Sequence, residues 1–131
     1  MQTITIKTHQ RNDFIDVTRR IIKAVSESGI TDGLAVAFVP HTTAGITINE
    51  NADPSVVHDI LYSLETLIPQ NQREFQHSEG NSDAHIKASL VGSSVTVMVE
   101  NSQLVLGTWQ GIYFCEFDGP RTRRLMVKVS K

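Results

Sequence analysis

His41, His77 and His85 each sit in a polar stretch punctuated by glycine. Imidazole suits zinc and similar transition metals, so these three residues are the first place to look for chemistry. His41 opens His-Thr-Thr-Ala-Gly-Ile-Thr-Ile-Asn-Glu-Asn-Ala-Asp-Pro over residues 41–54, and His77 and His85 bracket His-Ser-Glu-Gly-Asn-Ser-Asp-Ala-His-Ile-Lys over 77–87. A catalytic zinc takes three protein ligands and keeps one position open. Three converging imidazoles would therefore make an enzyme-like divalent metal site. The plain alternative is a polar surface loop whose histidines hold nothing.

The polar residues around these histidines extend the candidate site. Over 42–50, Ala44, Ile46 and Ile48 share one face, while Thr43, Gly45, Thr47 and Asn49 share the other with His41. Gly45 on that polar face lets something approach the backbone closely. A solvated outer sheet face gives the same alternation. Thr42, Thr43 and Asn51 are the candidate substrate-binding groups of this block. Glu50 and Glu116 are the carboxylates that could serve as acid or base. His85 opens a strand, which would align it with Lys87 and Ser89, or a helix, which would align it with Ser89 alone of the two.

A third block runs from Leu106 to Arg123. Glu116 alternates in phase with Ile112 and Phe114, and Arg121 and Arg123 with Leu125, Val127 and Val129. A carboxylate pointing inward needs a partner. A guanidinium fork suits phosphate, so Arg121 and Arg123, with Lys87 as a catalytic cation, are candidate phosphate groups. An Arg–Glu pair that only closes the sheet is the competing reading. Trp109, between glycines, either stacks on a ring-shaped substrate or plugs a packing gap. Cys115 lies mid-strand between bulky neighbours and reads as an inert thiol.

The elements that must position these groups follow from periodicity. Thr3–Lys7 reads as a strand. Phe14, Val17, Ile21 and Val25 form a helical stripe that Gly29 stops. Leu34–Val39 reads as a buried strand ended by Pro40. Asp53 and Pro54 open a second helix with the stripe Val57, Ile60, Leu61, Leu64 and Ile68. Residues 69–83 show no periodicity and read as a long loop, a length that usually signals function. Strands at 95–99, Gln103–Leu106, Gly111–Phe117 and Arg121–Val129 complete the chain. Helices early and short strands late predict an α+β domain, a mainly antiparallel sandwich with two or three helices packed on one side.

Composition narrows the classes. The 131 residues suit one domain spanning 1–131. A net charge of −2 argues against a general nucleic-acid binder but leaves room for a small anion held by local arginines. No apolar run approaches the roughly 18 residues needed to span a bilayer, which speaks against a membrane partner. A single cysteine and no signal-like N-terminus predict a cytoplasmic protein. There is no G-x-x-x-x-G-K, G-x-G-x-x-G or H-E-x-x-H.

Together, His41-Thr-Thr-Ala, Asn49-Glu-Asn-Ala-Asp-Pro54, Glu79-Gly80, His85-Ile-Lys-Ala-Ser89 and Leu106-Gly-Thr-Trp-Gln-Gly111 resemble the YjbQ family, also called secondary thiamine-phosphate synthases. The likeness runs from near residue 3 to near residue 129. It implies an α+β sandwich-like fold, a homotrimer and a polar cleft whose histidines can hold a metal ion. It also implies thiamine-phosphate synthase activity, which joins hydroxymethylpyrimidine diphosphate to a thiazole phosphate and expels pyrophosphate. Relatives often carry a glycine in the turn at 101–103, and this chain does not. The expectation is a metal-binding trimeric transferase of this kind, with His41, His77 and His85 on a divalent ion of the zinc type. Its rivals are a metal-dependent hydrolase of a phosphorylated small molecule and a trimer that only binds such a metabolite.

Overall fold

Two antiparallel sheets face each other across an apolar core, and three helices complete the layers around them. The computed structural model describes residues 1–131. The elements run β1 (Gln2–Lys7), β2 (Asp13–Asp16), α1 (Thr18–Ser28), β3 (Gly33–Phe38), β4 (Ala44–Glu50), α2 (Pro54–Leu67), α3 (Ser82–Val91), β5 (Ser94–Glu100), β6 (Gln103–Leu104), β7 (Gln110–Glu116) and β8 (Thr122–Ser130). The larger sheet has the order β1-β8-β3-β5-β6 and the smaller one β2-β7-β4. This is the expected α+β sandwich, with three helices.

Period-2 alternation builds the core. Ala44 and Ile46 of β4 and Ile112 and Phe114 of β7 join Ala37, Val97, Leu125 and Val127 of the larger sheet in one cluster. Burying a side chain such as Phe114, which is fully enclosed, contributes about 2–3 kcal/mol. The opposite face of β7 carries Tyr113 and Cys115, and these with Phe117 meet Ala84 and Ala88 of α3 and Val57 and Leu64 of α2. So α2 and α3 cover the outer face of the small sheet, while Val25 of α1 packs on Ala35 and Val99 of the large one.

Four expectations need correction. Phe14 is on β2, not on a helix, and pairs with Cys115 across the ladder. Its ring lies 5.7 Å from that of Tyr113. The helix begins later, where Asp16 Oδ1 accepts from the Thr18 N–H (2.9 Å) and hydroxyl (2.6 Å). Residues 82–91, partly assigned to a loop, form α3, which makes His85 helical. β3 is buried on one face only: its alanines point in, whereas Leu34, Val36 and Phe38 are exposed. The strand predicted at Gln103–Leu106 is only the two residues of β6. Its hairpin turn places Asn101 and Ser102 at φ 53° and 63°, left-handed values that glycine and asparagine adopt most readily. The second helix starts as predicted, with Asp53 accepting from the Ser55 N–H at 2.9 Å. No helix is long and apolar enough to cross a membrane.

Candidate functional site

The site is set by a close approach between β4 and the end of α3. The Ile46 N–H donates to the Gly92 carbonyl at 3.0 Å. A Cβ on Gly45 would stand 2.6 Å from that same oxygen, so only glycine admits the contact. What approaches the polar side of β4 is therefore the chain's own helix terminus. The contact sets His41 and Thr42, which precede β4, beside His85, Ser89 and Ser93, forming a groove of about 340 Å³. His85 and Ser89 share a helical face because they are four residues apart. A neighbouring hollow of about 630 Å³ shares His41, Thr42 and Ser93 and adds Phe38, Pro40 and Arg123.

His41 is held in one chemical form. Its Nε2 accepts from the Arg124 backbone N–H at 2.9 Å, which assigns the proton of the neutral ring to Nδ1. Burial, then the nearby guanidinium groups of Arg123 and Arg124, hold its pKa below the ordinary imidazole value. Near neutral pH the residue is an uncharged N–H donor in positive surroundings. Those surroundings favour an anion.

Two of the three histidines are neighbours. The rings of His77 and His85 have centroids 5.3 Å apart and stand nearly perpendicular. Two imidazoles on one tetrahedral zinc, each bonded at about 2.0–2.1 Å, also have centroids roughly 5 Å apart. The separation thus fits zinc, but the third ligand does not follow. His41 shares its groove with His85, whereas His77 lies with His85 on a different hollow, beside Phe75 and Ser82. No three His, Cys, Asp or Glu side chains are grouped to hold a metal ion. A three-histidine zinc centre does not fit the arrangement within one chain.

The remaining candidates divide by location. Glu116 is fully buried and accepts from five donors: the Thr8 hydroxyl at 2.8 Å, Arg123 Nε at 2.9 Å, Arg123 Nη2, and the Phe117 and Asp118 N–H groups, both at 3.1 Å. A carboxylate so occupied is an anchor for Arg123 and has no free lone pair for acid–base work. Arg123 also donates to Thr43 Oγ1 at 2.8 Å, so Thr43 is used up inside the fold. Arg123 still lines the hollow beside His41. Arg121 instead clamps its own turn, donating to the Asp118 carbonyl at 2.8 Å and carboxylate at 3.0 Å.

Glu50, Asn51 and Trp109 stand at the far end of β4, whose seven residues rise about 20 Å from the end that His41 precedes. Glu50 receives the Asp53 N–H at 3.2 Å, and Asn51 donates to Asp16 at 3.1 Å. Trp109 is 63% exposed and plugs nothing. Lys87 points away from the groove: it is 1% exposed, with Nζ 3.1 Å from Asp83 and 3.2 Å from Asn12. Burial pushes the Cys115 thiol well above its usual pKa, in keeping with an inert residue.

Sequence reasoning missed Ser93, a serine after a helix-ending glycine, which carries no chemical signal of its own. It also missed the buried ion cluster of Arg11, Asp83 and Lys87, in which Arg11 grips Asp83 with two bonds of 2.9 Å. The four-residue spacing of Asp83 and Lys87 was its one visible sign.

Known proteins share this whole architecture. Over residues 2–131 the chain matches the family model described as UPF0047 protein YjbQ-like. A UPF0047 protein of Methanocaldococcus jannaschii is 61% identical over 124 residues, covering 95% of this chain and 89% of that one. YugU of Bacillus subtilis, also a UPF0047 protein, is 54% identical with 98% of both chains covered. Among solved structures, an uncharacterised YjbQ/UPF0047-family protein of Clostridium acetobutylicum superposes with a TM-score of 0.97 at 57% identity, covering 99% of this chain and all of that one. A conserved hypothetical protein of Thermus thermophilus superposes with a TM-score of 0.92 at 40% identity, over 99% of this chain and all of that one. With sheet order, helices and sequence in agreement along its length, the chain belongs to the YjbQ-like UPF0047 family.

Proposed function

We propose that the groove between His41–Thr42 and the end of α3 binds the diphosphate of a small metabolite, and that the protein is a cytoplasmic transferase of the thiamine-phosphate synthase kind. The observation that carries this reading is the convergence on one groove of a neutral imidazole donor and the hydroxyls of Thr42 and Ser93, with Arg123 lining the adjoining hollow and the Arg124 guanidinium acting on His41 from nearby. In the reaction, the thiazole nitrogen lone pair forms a C–N bond to the methylene carbon of the pyrimidine. The C–O bond to the diphosphate breaks, its electron pair leaves with pyrophosphate, and the positive charge remains on the thiazolium. No proton changes place in that balance. The reaction asks for a site that stabilises developing negative charge. A groove lined by donors and by no carboxylate meets that demand.

A divalent ion, zinc by the softness of imidazole, would have His77 and His85 as its pair of protein ligands and would supply further charge for phosphate oxygens. The groove donors bind and orient the ligand with or without it. Self-association, as the homotrimer that the resemblance implies, is supported by the outer face of the large sheet. Leu34 lies opposite Met98 and Phe38 opposite Met126, so the exposed apolar side chains of β3 continue across the sheet. A contiguous apolar face of this kind marks an interaction surface. Phe38 also lines the hollow beside His41, so a second copy on that face would border the site.

The test combines pyrophosphate binding with turnover. Pyrophosphate should bind the wild type, and Thr42→Val with Ser93→Ala should weaken it by about tenfold or more, from two hydrogen bonds of about 1 kcal/mol each. Thiamine phosphate should form from the two substrates and fall in the same variant. Unchanged binding would remove the ligand from the groove. Binding without any turnover would leave the metabolite-binding reading, which the lack of a free carboxylate also suits.

A further inference from the structure

A separate opening lies on the opposite side of α3 from the groove. It is a cavity of about 430 Å³, within the size range of small-molecule sites, lined mostly by polar side chains with Ile68 and Pro69 at one wall. At its floor lies Lys87, 1% exposed. An ammonium has three N–H groups, and the fold occupies two of them, at Asp83 and Asn12. Arg11 and Lys87 together face the single carboxylate of Asp83, which leaves the deep wall with an excess of one positive charge. Glu65 supplies a negative pole at the rim, where its Oε1 accepts from Asn12 Nδ2 at 2.8 Å.

Asn12 joins the two poles. Its carbonyl oxygen accepts from Lys87 and its amide nitrogen donates to Glu65. A free α-amino acid offers the same order at similar spacing: a carboxylate oxygen to accept, and an ammonium nitrogen one carbon away to donate. Both poles keep spare capacity, the third N–H of Lys87 and Oε2 of Glu65. A phosphate dianion would meet only one excess positive charge and would be repelled by Glu65.

We propose that this cavity is a second ligand site, for an α-amino acid whose carboxylate is held by Lys87 and Arg11 and whose ammonium is held by Glu65. The paired charges sit on both sides of an amide that already carries the same hydrogen-bond pattern. Lys87 here binds and does not act as a nucleophile, because its ammonium is tied to Asp83.

The experiment is a backbone-amide NMR titration of the full chain with each of the twenty protein L-amino acids, acetate and inorganic phosphate. At least one amino acid should give saturable shifts at residues 10–12, 65–70 and 83–87, while residues 41–42 and 89–93 stay still. Glu65→Gln keeps the acceptor for Asn12 on an exposed position, so it should leave the fold intact. It should weaken the amino acid by about tenfold or more, since a charge-assisted hydrogen bond is lost. Acetate should bind more weakly than the amino acid and be indifferent to that substitution. The proposal is overturned if no amino acid saturates these shifts, if acetate or phosphate binds as tightly, or if Glu65→Gln changes nothing.

Discussion

Replacing Glu116 with Gln separates an anchor from an acid–base catalyst. The substitution keeps the side-chain shape but removes the charge opposite Arg123, whose side chain is 7% exposed against 0% for Glu116. It also turns one acceptor oxygen into an NH2 group amid five donors. Breaking a buried pair by removing one partner costs about 3–5 kcal/mol, because the remaining charge is left uncompensated. With an unfolding entropy of about 2.1 cal/mol/K per residue, a chain of this length should melt about 11–18 °C lower. Thermal unfolding followed by circular dichroism at pH 7 measures the shift. Replacing both Glu116 and Arg123 with Met should recover part of the loss, since an apolar pair leaves no orphaned charge. The reasoning fails if Glu116→Gln melts within about 1 kcal/mol of the parent while turnover disappears. That result would make Glu116 a proton-transfer group and the pair dispensable.

Other substitutions test the remaining joints. Gly45→Ala puts a Cβ 2.6 Å from a backbone oxygen, so β4 and α3 must part. Overpacking of this kind costs about 1–3 kcal/mol, and urea unfolding should show it together with weakened pyrophosphate binding. His41 has a folded pKa below its unfolded one, so its contribution is intact above the unfolded value and lost as pH falls through the folded value. Stability measured from about pH 6.5 down to 5 should therefore decline, and His41→Gln should flatten that component. Met98→Glu introduces a charge on the bare face of the large sheet, where Met98 is 60% exposed. Light scattering should report a smaller assembly than the parent with an unchanged circular dichroism spectrum. An equal mass would place the contact elsewhere.

Much of the fold was legible because its signals are local. Alternation marked β4, β5 and β8, and Asp53 with Pro54 marked the start of α2. Phe14 misled because helical spacing from Val17 onward happens to include it, while the pairing that holds it, with Cys115, lies about a hundred residues away. α3 was hidden because one flank packs on the small sheet while another lies in water, which leaves little apolar stripe to read. The outward turn of Leu34, Val36 and Phe38 was equally invisible: an apolar run does not say which of its faces is covered. In the site, the glycine at 45 signalled a close approach, and β4 and α3 supply it. What could not be read was Glu116, whose alternation correctly placed it inside but could not reveal how many donors it meets.

The helical state of α3 decides how its residues divide. On a strand, His85 and Lys87 would share a face and could act on one phosphate. On a helix, two residues span about 200°, so these side chains are sent to opposite sides. His85 is thereby grouped with Ser89 over the groove, and Lys87 with Asp83 over the polar cavity. The same rotation removes Lys87 from diphosphate chemistry and leaves the groove dependent on hydroxyls, a neutral imidazole and the two arginines beside it. A site so composed suits an anionic ligand. In the proposed displacement such donors suffice for the leaving group, because no proton is transferred. The two openings therefore lie on either side of a ten-residue helix, each lined by its own set of side chains.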